Sequence, residues 1–145
     1  MDLEDIKKEY KKDCTLDRME LGEEALKTNE LHAKYLELYS DAEEELVELE
    51  NQEVKLYKDK KEFYVLGPTK EQVELGWELP PRGKIIKSEV DTYIKADKQM
   101  REIKVKIAKQ KIKVKYLLDI INFLHYNRKG LISEAIGWIK FNAGC

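Results

Sequence analysis

Residues 93–124 read YIKADKQMREIKVKIAKQKIKVKYLLDIINFL. Tyr93, Met100, Ile107, Val114 and Ile121 fall seven apart. Ala96, Ile103, Gln110, Leu117 and Leu124 form a second column three residues later. Nearly every slot is apolar, and a seam of period seven is what one helix offers to another. The same stretch carries a competing pattern. Ile103-Lys104-Val105-Lys106-Ile107 and Ile112-Lys113-Val114-Lys115-Tyr116 alternate like strands. Helix is the expectation, because both columns run straight through the alternating pieces and Ala108-Lys109-Gln110-Lys111 has no turn residue.

A matching seam lies upstream. Leu21, Thr28, Tyr35, Ala42, Leu49, Leu56 and Phe63 are each seven apart, with Leu31 and Leu38 beside them, and no proline interrupts residues 16–66. One helix over 16–66 is expected, capped by Thr15 or Asp17. A helix that long needs a partner helix. Gly67-Pro68 ends it, and 67–87, with Gly76, Pro80, Pro81 and Gly83, reads as a connection. Its Val73, Leu75, Trp77 and Leu79 imply that it folds back on something. Ser88-Glu89-Val90-Asp91 resembles a capping box opening a second long helix over 88–126. Leu3, Ile6 and Tyr10 mark a short amphipathic helix over 2–12, and a break or kink at Asn127–Gly130 precedes a last helix over 130–142. The expected fold is therefore all-α: a long, coiled-coil-like helical hairpin in one domain, with a short N-terminal helix and a C-terminal assembly helix.

Composition agrees with long helices. Charged residues are 39% of 145 against a usual ~25%, and Gly (seven) and Pro (three) are too few for a loop-rich β domain. Residues 1–66 hold 11 basic and 20 acidic side chains, a net of −9, and residues 67–145 hold 16 and 9, a net of +7. Such polarity favours pairing of the halves with each other or with a neighbouring copy. No apolar run is long enough to span a membrane, and Met1-Asp2-Leu3-Glu4-Asp5 is unlike a signal peptide. Cys14 and Cys145 read as free thiols of a reducing cytosol.

Catalysis needs a positioned nucleophile, base or metal. His32 and His125 are far apart in sequence, neither has Cys or His at ligand spacing, and no glycine-rich phosphate loop exists. Both histidines read as edge-of-core residues. No enzyme, metal or cofactor is expected.

Binding surfaces are better supported. Lys55-Leu56-Tyr57-Lys58-Asp59-Lys60-Lys61-Glu62-Phe63-Tyr64 mixes lysines with aromatics. With Leu56 and Phe63 facing the core, Tyr57 and Tyr64 are expected to point outward beside Lys58 and Lys61, with Lys60 and Lys55 at the flank. Aromatics among lysines stack bases and contact phosphates, which is sequence-tolerant single-strand binding. A solvated helix end is the plainer account. Lys104, Lys106, Lys109, Lys111, Lys113 and Lys115 form a second basic run. A hairpin turning near residue 76 sets Glu43, Glu44, Glu45 and Glu48 opposite it, so neutralisation within the hairpin or between subunits competes with a nucleic-acid role. At the C-terminus Leu131, Ile132, Ala135, Ile136 and Ile139, flanked by Trp138 and Phe141, suit either assembly or capping of the chain's own hairpin.

The chain resembles the UvsY family of recombination mediators of T4-like phages. The resemblance rests on Leu3-Glu4-Asp5-Ile6 with Lys11-Lys12-Asp13, on the long acidic helix leading into Lys58-x-Lys60 and Phe63-Tyr64, and on Lys87-Ser88-Glu89-Val90 with Ala96-Asp97-Lys98. It extends to Arg128-Lys129-Gly130-Leu131 through Trp138, Phe141 and Ala143-Gly144. The resemblance implies a ring-like homo-oligomer of six or seven subunits held by C-terminal helices. It implies binding to single-stranded DNA, to a RecA-like recombinase and to a single-strand-binding protein, in the cytoplasm of an infected bacterial host. The implied task is loading the recombinase onto covered DNA during recombination, repair and replication. In the family a Lys-x-Arg pair is tied to DNA binding; here it reads Lys58-Asp59-Lys60, which lacks arginine's planar fork. The alternative is a coiled-coil scaffold or prefoldin-like holdase without DNA affinity.

Overall fold

The computed structural model describes residues 1–80 and 85–144. Pro81 and Gly83 of the expected connection, and Cys145, lie outside the described residues. All regular structure among the described residues is helical: α1 (Leu3–Asp13), α2 (Leu21–Leu66), α3 (Lys70–Glu74), a 3-10 turn (Lys87–Glu89), α4 (Val90–Ala96), α5 (Lys98–Asn122), a π-helical stretch (Phe123–Arg128) and α6 (Lys129–Gly144). Contacts divide the chain into two compact units, one of residues 1–44 with 111–145 and one of residues 45–110. Helices α2 and α5 each contribute to both.

In the first unit, α1 starts where the Asp2 side chain accepts a hydrogen bond from the Asp5 N–H. Its Ile6 is fully buried against Leu31, Tyr35, Leu117, Ile120, Ile121 and Leu124. Removing such a side chain from water contributes about 1.5–3 kcal/mol. Tyr10 meets the rings of Tyr35, Tyr116 and Phe123 edge to face. Lys34 Nζ joins α2 to α1 through Asp13 (2.6 Å) and Glu9 (2.8 Å). Burial favours raising the Asp13 pKa, but hydrogen bonds from Lys34 and Tyr35 outweigh it and hold the carboxyl below its usual value.

In the second unit, Phe63, Tyr64, Val90, Ile94 and Met100 form the core, with Leu56, Trp77, Leu79 and Tyr93 packed on it. The two long helices run antiparallel. Glu45 accepts from Gln110, Tyr57 donates to Asp91 and Lys60 pairs with Asp97. Gly67, at φ 92°, ends α2 and returns its N–H to the Phe63 carbonyl. That left-handed conformation suits glycine, which has no Cβ to clash.

Several local expectations are corrected. Helix α2 begins at Leu21, because the Thr15 hydroxyl turns back to the Lys11 carbonyl and Asp17 accepts from the Met19 N–H. The connection contains α3, opened by a capping box of Thr69 and Gln72. Trp77 and Leu79 fold back as expected, whereas Val73 and Leu75 stay exposed. The Ser88 box does not form; no side chain caps the 3-10 turn or α4. The expected second helix is interrupted at Asp97, which is extended at φ −60°, ψ 137°. Asp97 caps α5 by accepting from the Met100 N–H at 3.1 Å. Residues 103–116 are helical, so the strand-like alternation only records lysines on the solvent side. Of the break or kink expected at Asn127–Gly130, no break forms: a π-helical stretch over Phe123–Arg128 leads directly into α6.

Candidate nucleic-acid interface

The sequence-derived cluster splits into a solvent-facing part and a buried part. Tyr57, Lys58 and Lys61 recur at i, i+1 and i+4 on α2, so they share one side of it, with Lys55 at the flank. All four are exposed. The three lysines make no ion pair among the described residues. The Tyr57 hydroxyl donates to Asp91 Oδ1 at 2.9 Å, which fixes the ring at the surface. Beside it lies an open groove of about 410 Å³ lined by Val54, Tyr57, Asp91, Lys95 and Lys104. Lys95 and Lys104 therefore border the same surface. Sequence reading did not join them to it, because only the antiparallel crossing of α2 with α4 and α5 brings them there.

Lys60 and Tyr64 face inward, contrary to the expected outward pair Tyr57 and Tyr64. Lys60 is 0% exposed. Its ammonium lies 3.0 Å from Asp97 Oδ2, donates to Gln99 Oε1 at 2.9 Å, and sits 3.7 Å from the centre of the Trp77 ring. Tyr64 is also buried and donates to Asp97 Oδ2 at 2.7 Å. Burial pushes the Lys60 pKa down, and the contact with Asp97 offsets part of that. A lysine held in this way has no donor turned to solvent. The inward placement was legible: Leu56, Lys60 and Phe63 stand at i, i+4 and i+7, the core-facing spacing. Nothing in the sequence named Asp97 as the partner.

Burial, and then the hydrogen bond to Asp97, raises the Tyr64 pKa; burial and Asp13 do the same for Tyr35. An unfolded chain releases tyrosine protons near pH ~10. The folded chain holds these two longer, so their stabilisation is complete below pH ~10 and is lost as pH rises through the window above it. Two of the eight tyrosines should ionise only as helical circular dichroism is lost. Ionisation of all eight near pH ~10 with the helix intact would contradict this.

The second basic run is on α5. Lys104, Lys106, Lys109, Lys111 and Lys115 are exposed and make no ion pair among the described residues. Lys113 is half-buried and has a partner. At the C-terminal end, Ile132 is buried and Ala135 and Ile136 are half-buried. Leu131, Trp138, Ile139 and Phe141 are exposed, Trp138 at 66%. His32 and His125 come together with ring centres 6.1 Å apart; His32 is half-buried and His125 is exposed. No group of three or more His, Cys, Asp or Glu able to hold a metal occurs among the described residues. No described helix is long and apolar enough to cross a membrane.

Crystal structures of the recombination mediator protein UvsY of bacteriophage T4 share this fold. One lattice form aligns at TM-score 0.80 and 22% identity, over 95% of this chain and 98% of that one. A second aligns at 0.78 and 25% identity, over 99% and 98%. A third aligns at 0.79 and 22% identity, over 98% and 99%. Comparison with curated protein sequences finds no match. Residues 9–145 match the family described as "Recombination, repair and ssDNA binding protein UvsY", and the chain belongs to that family.

Proposed function

We propose that this chain is a recombination mediator. It binds single-stranded DNA and loads a RecA-like recombinase onto DNA covered by single-strand-binding protein, in the cytoplasm of an infected bacterial host. It works as a homo-oligomeric ring of six or seven subunits. The family match over residues 9–145 carries this reading. The exposed Lys55, Tyr57, Lys58 and Lys61 supply the chemistry. Lysines neutralise phosphates, and a base stacked on Tyr57 adds about 1–3 kcal/mol. Lys60 supports the surface from beneath. Repetition around an oligomer converts weak contacts into strong binding. No bond is made or broken. The mediator shifts DNA between two proteins by linkage, binding the recombinase-bearing state more tightly than the covered one.

Replacing Lys58 and Lys61 together with alanine should weaken single-strand binding at unchanged oligomer mass. It should also flatten the slope of log K against log salt by about 1.4, from ~0.7 per phosphate contact. Anisotropy titration at several salt concentrations reads both. An unaltered slope removes this site, and absence of binding by the parent oligomer favours the scaffold. For assembly, the exposed Trp138 and Phe141 are the residues to change. Trp138→Asp with Phe141→Asp should lower the mass measured by sedimentation, and an unchanged mass would rule out that contact.

A further inference from the structure

Helices α2 and α5 each carry a second apolar seam apart from the side chains they bury. On α2, Val47 and Val54 are seven apart and 56% and 71% exposed. They stand about 160° around the helix from Leu49 and Leu56, which face the core. On α5, Val105 and Ile112 are seven apart and 52% and 57% exposed, on the side opposite Ile103 and Ile107. The flanks have opposite charge. From Tyr35 to Val54 the sequence has no basic residue, and from Ile103 to Leu118 it has no acidic one. Glu44 and Glu50 flank the α2 seam, and Lys109 and Lys115 flank the α5 seam. All four are exposed and without an ion pair among the described residues.

We infer that the α2 seam of one copy docks on the α5 seam of the next, a head-to-tail contact between copies of this chain. It rests on the homo-oligomer reading above and specifies its surfaces. Matching seven-residue spacing lets two seams interdigitate, and complementary charges at their edges select the partner. Two different faces make the contact heterologous, which generates rings where the rotation closes. Nucleic acid fits less well: it has no use for paired aliphatic side chains, and the acidic α2 seam repels it. Beyond Glu53 the charge on α2 changes sign, and Val54, the last residue of the seam, also lines the groove beside Tyr57, so the seam runs up to the edge of that surface.

A charge-swap series tests this. The variant Glu44→Lys with Glu50→Lys should need roughly 100-fold more protein for half-assembly, as should Lys109→Glu with Lys115→Glu, because each sets like charges together. The variant carrying all four changes should reassemble. Sedimentation gives the mass, circular dichroism confirms the fold, and single-strand anisotropy is measured alongside. Where a reversal fails to fold, Glu44→Gln with Glu50→Gln serves, with a smaller shift. Parental mass in both double variants overturns the inference. So does loss of DNA affinity by the lysine variant at parental mass, which assigns the basic seam to nucleic acid. A monomeric parent defeats the homo-oligomer reading itself.

Discussion

Replacing Asp97 with alanine is expected to destabilise the chain by about 3–5 kcal/mol, the range for breaking a buried ion pair from one side. Three things fail together. The Lys60 ammonium keeps its burial but loses its counter-charge. The Tyr64 hydroxyl loses its acceptor. Helix α5 loses the side chain capping the Met100 N–H, worth a further ~1 kcal/mol. Asp97→Asn keeps a cap and an acceptor, so it should cost less. Lys60→Met also breaks the pair from one side, but Asp97 keeps its hydrogen bonds from Tyr64 and Met100 and an apolar side chain of similar length suits the Trp77 ring, so it should cost less than Asp97→Ala. Urea unfolding followed by circular dichroism gives the order. Equal stabilities for Asp97→Ala and the parent would mean that the Lys60 network is not closed in solution.

Arg128→Ala should have an effect of the same size, about 3–5 kcal/mol, in the other unit. Arg128 is 1% exposed. It reaches Glu24 Oε2 at 2.6 Å and Thr28 Oγ1 at 3.0 Å, and a third nitrogen lies 3.4 Å from the Asp13 carbonyl. One guanidinium thus ties the π-helical stretch to α2 and to the end of α1. Arg128→Lys keeps the charge but not the fork, so it should recover only part of the loss. Because α6 follows directly, the alanine variant should also change the exposure of Trp138, read by its fluorescence. A variant with parental stability and parental tryptophan emission would show that Arg128 does not anchor this segment.

The hairpin seams were legible because burial repeats with the helix. Thr28, Tyr35, Phe63, Met100, Ile107 and Leu117 are all buried as the heptads require. What the heptads could not reveal was set by partners distant in sequence. Asp97 interrupts the second helix because Lys60 and Tyr64, more than thirty residues away, hold its carboxylate. Ala96, a seam residue by counting, is consequently exposed. The π-helical stretch gave no signal beyond the break or kink read at Asn127–Gly130, and the partners of its Arg128, Glu24 and Thr28, lie a hundred residues or more away in sequence. The candidate site was half legible. Lys55, Tyr57, Lys58 and Lys61 are at the surface, as a helical wheel requires. Lys60 was grouped with them by charge and by the resemblance of Lys58-x-Lys60 to the family's basic pair, although its spacing from Leu56 and Phe63 set it inside. For the acidic and basic runs, counting alone kept neutralisation and a nucleic-acid role in competition; Glu45 meets Gln110 across the seam, and most of the other charges of both runs are exposed.

The most direct test of the mediator reading is a loading assay. A RecA-like recombinase is mixed with single-stranded DNA already covered by single-strand-binding protein, and its DNA-dependent ATP hydrolysis is followed with and without this chain. The account predicts a long lag that the parent chain shortens and that the Lys58→Ala, Lys61→Ala variant shortens less. A lag unchanged by the intact, oligomeric parent would contradict the account.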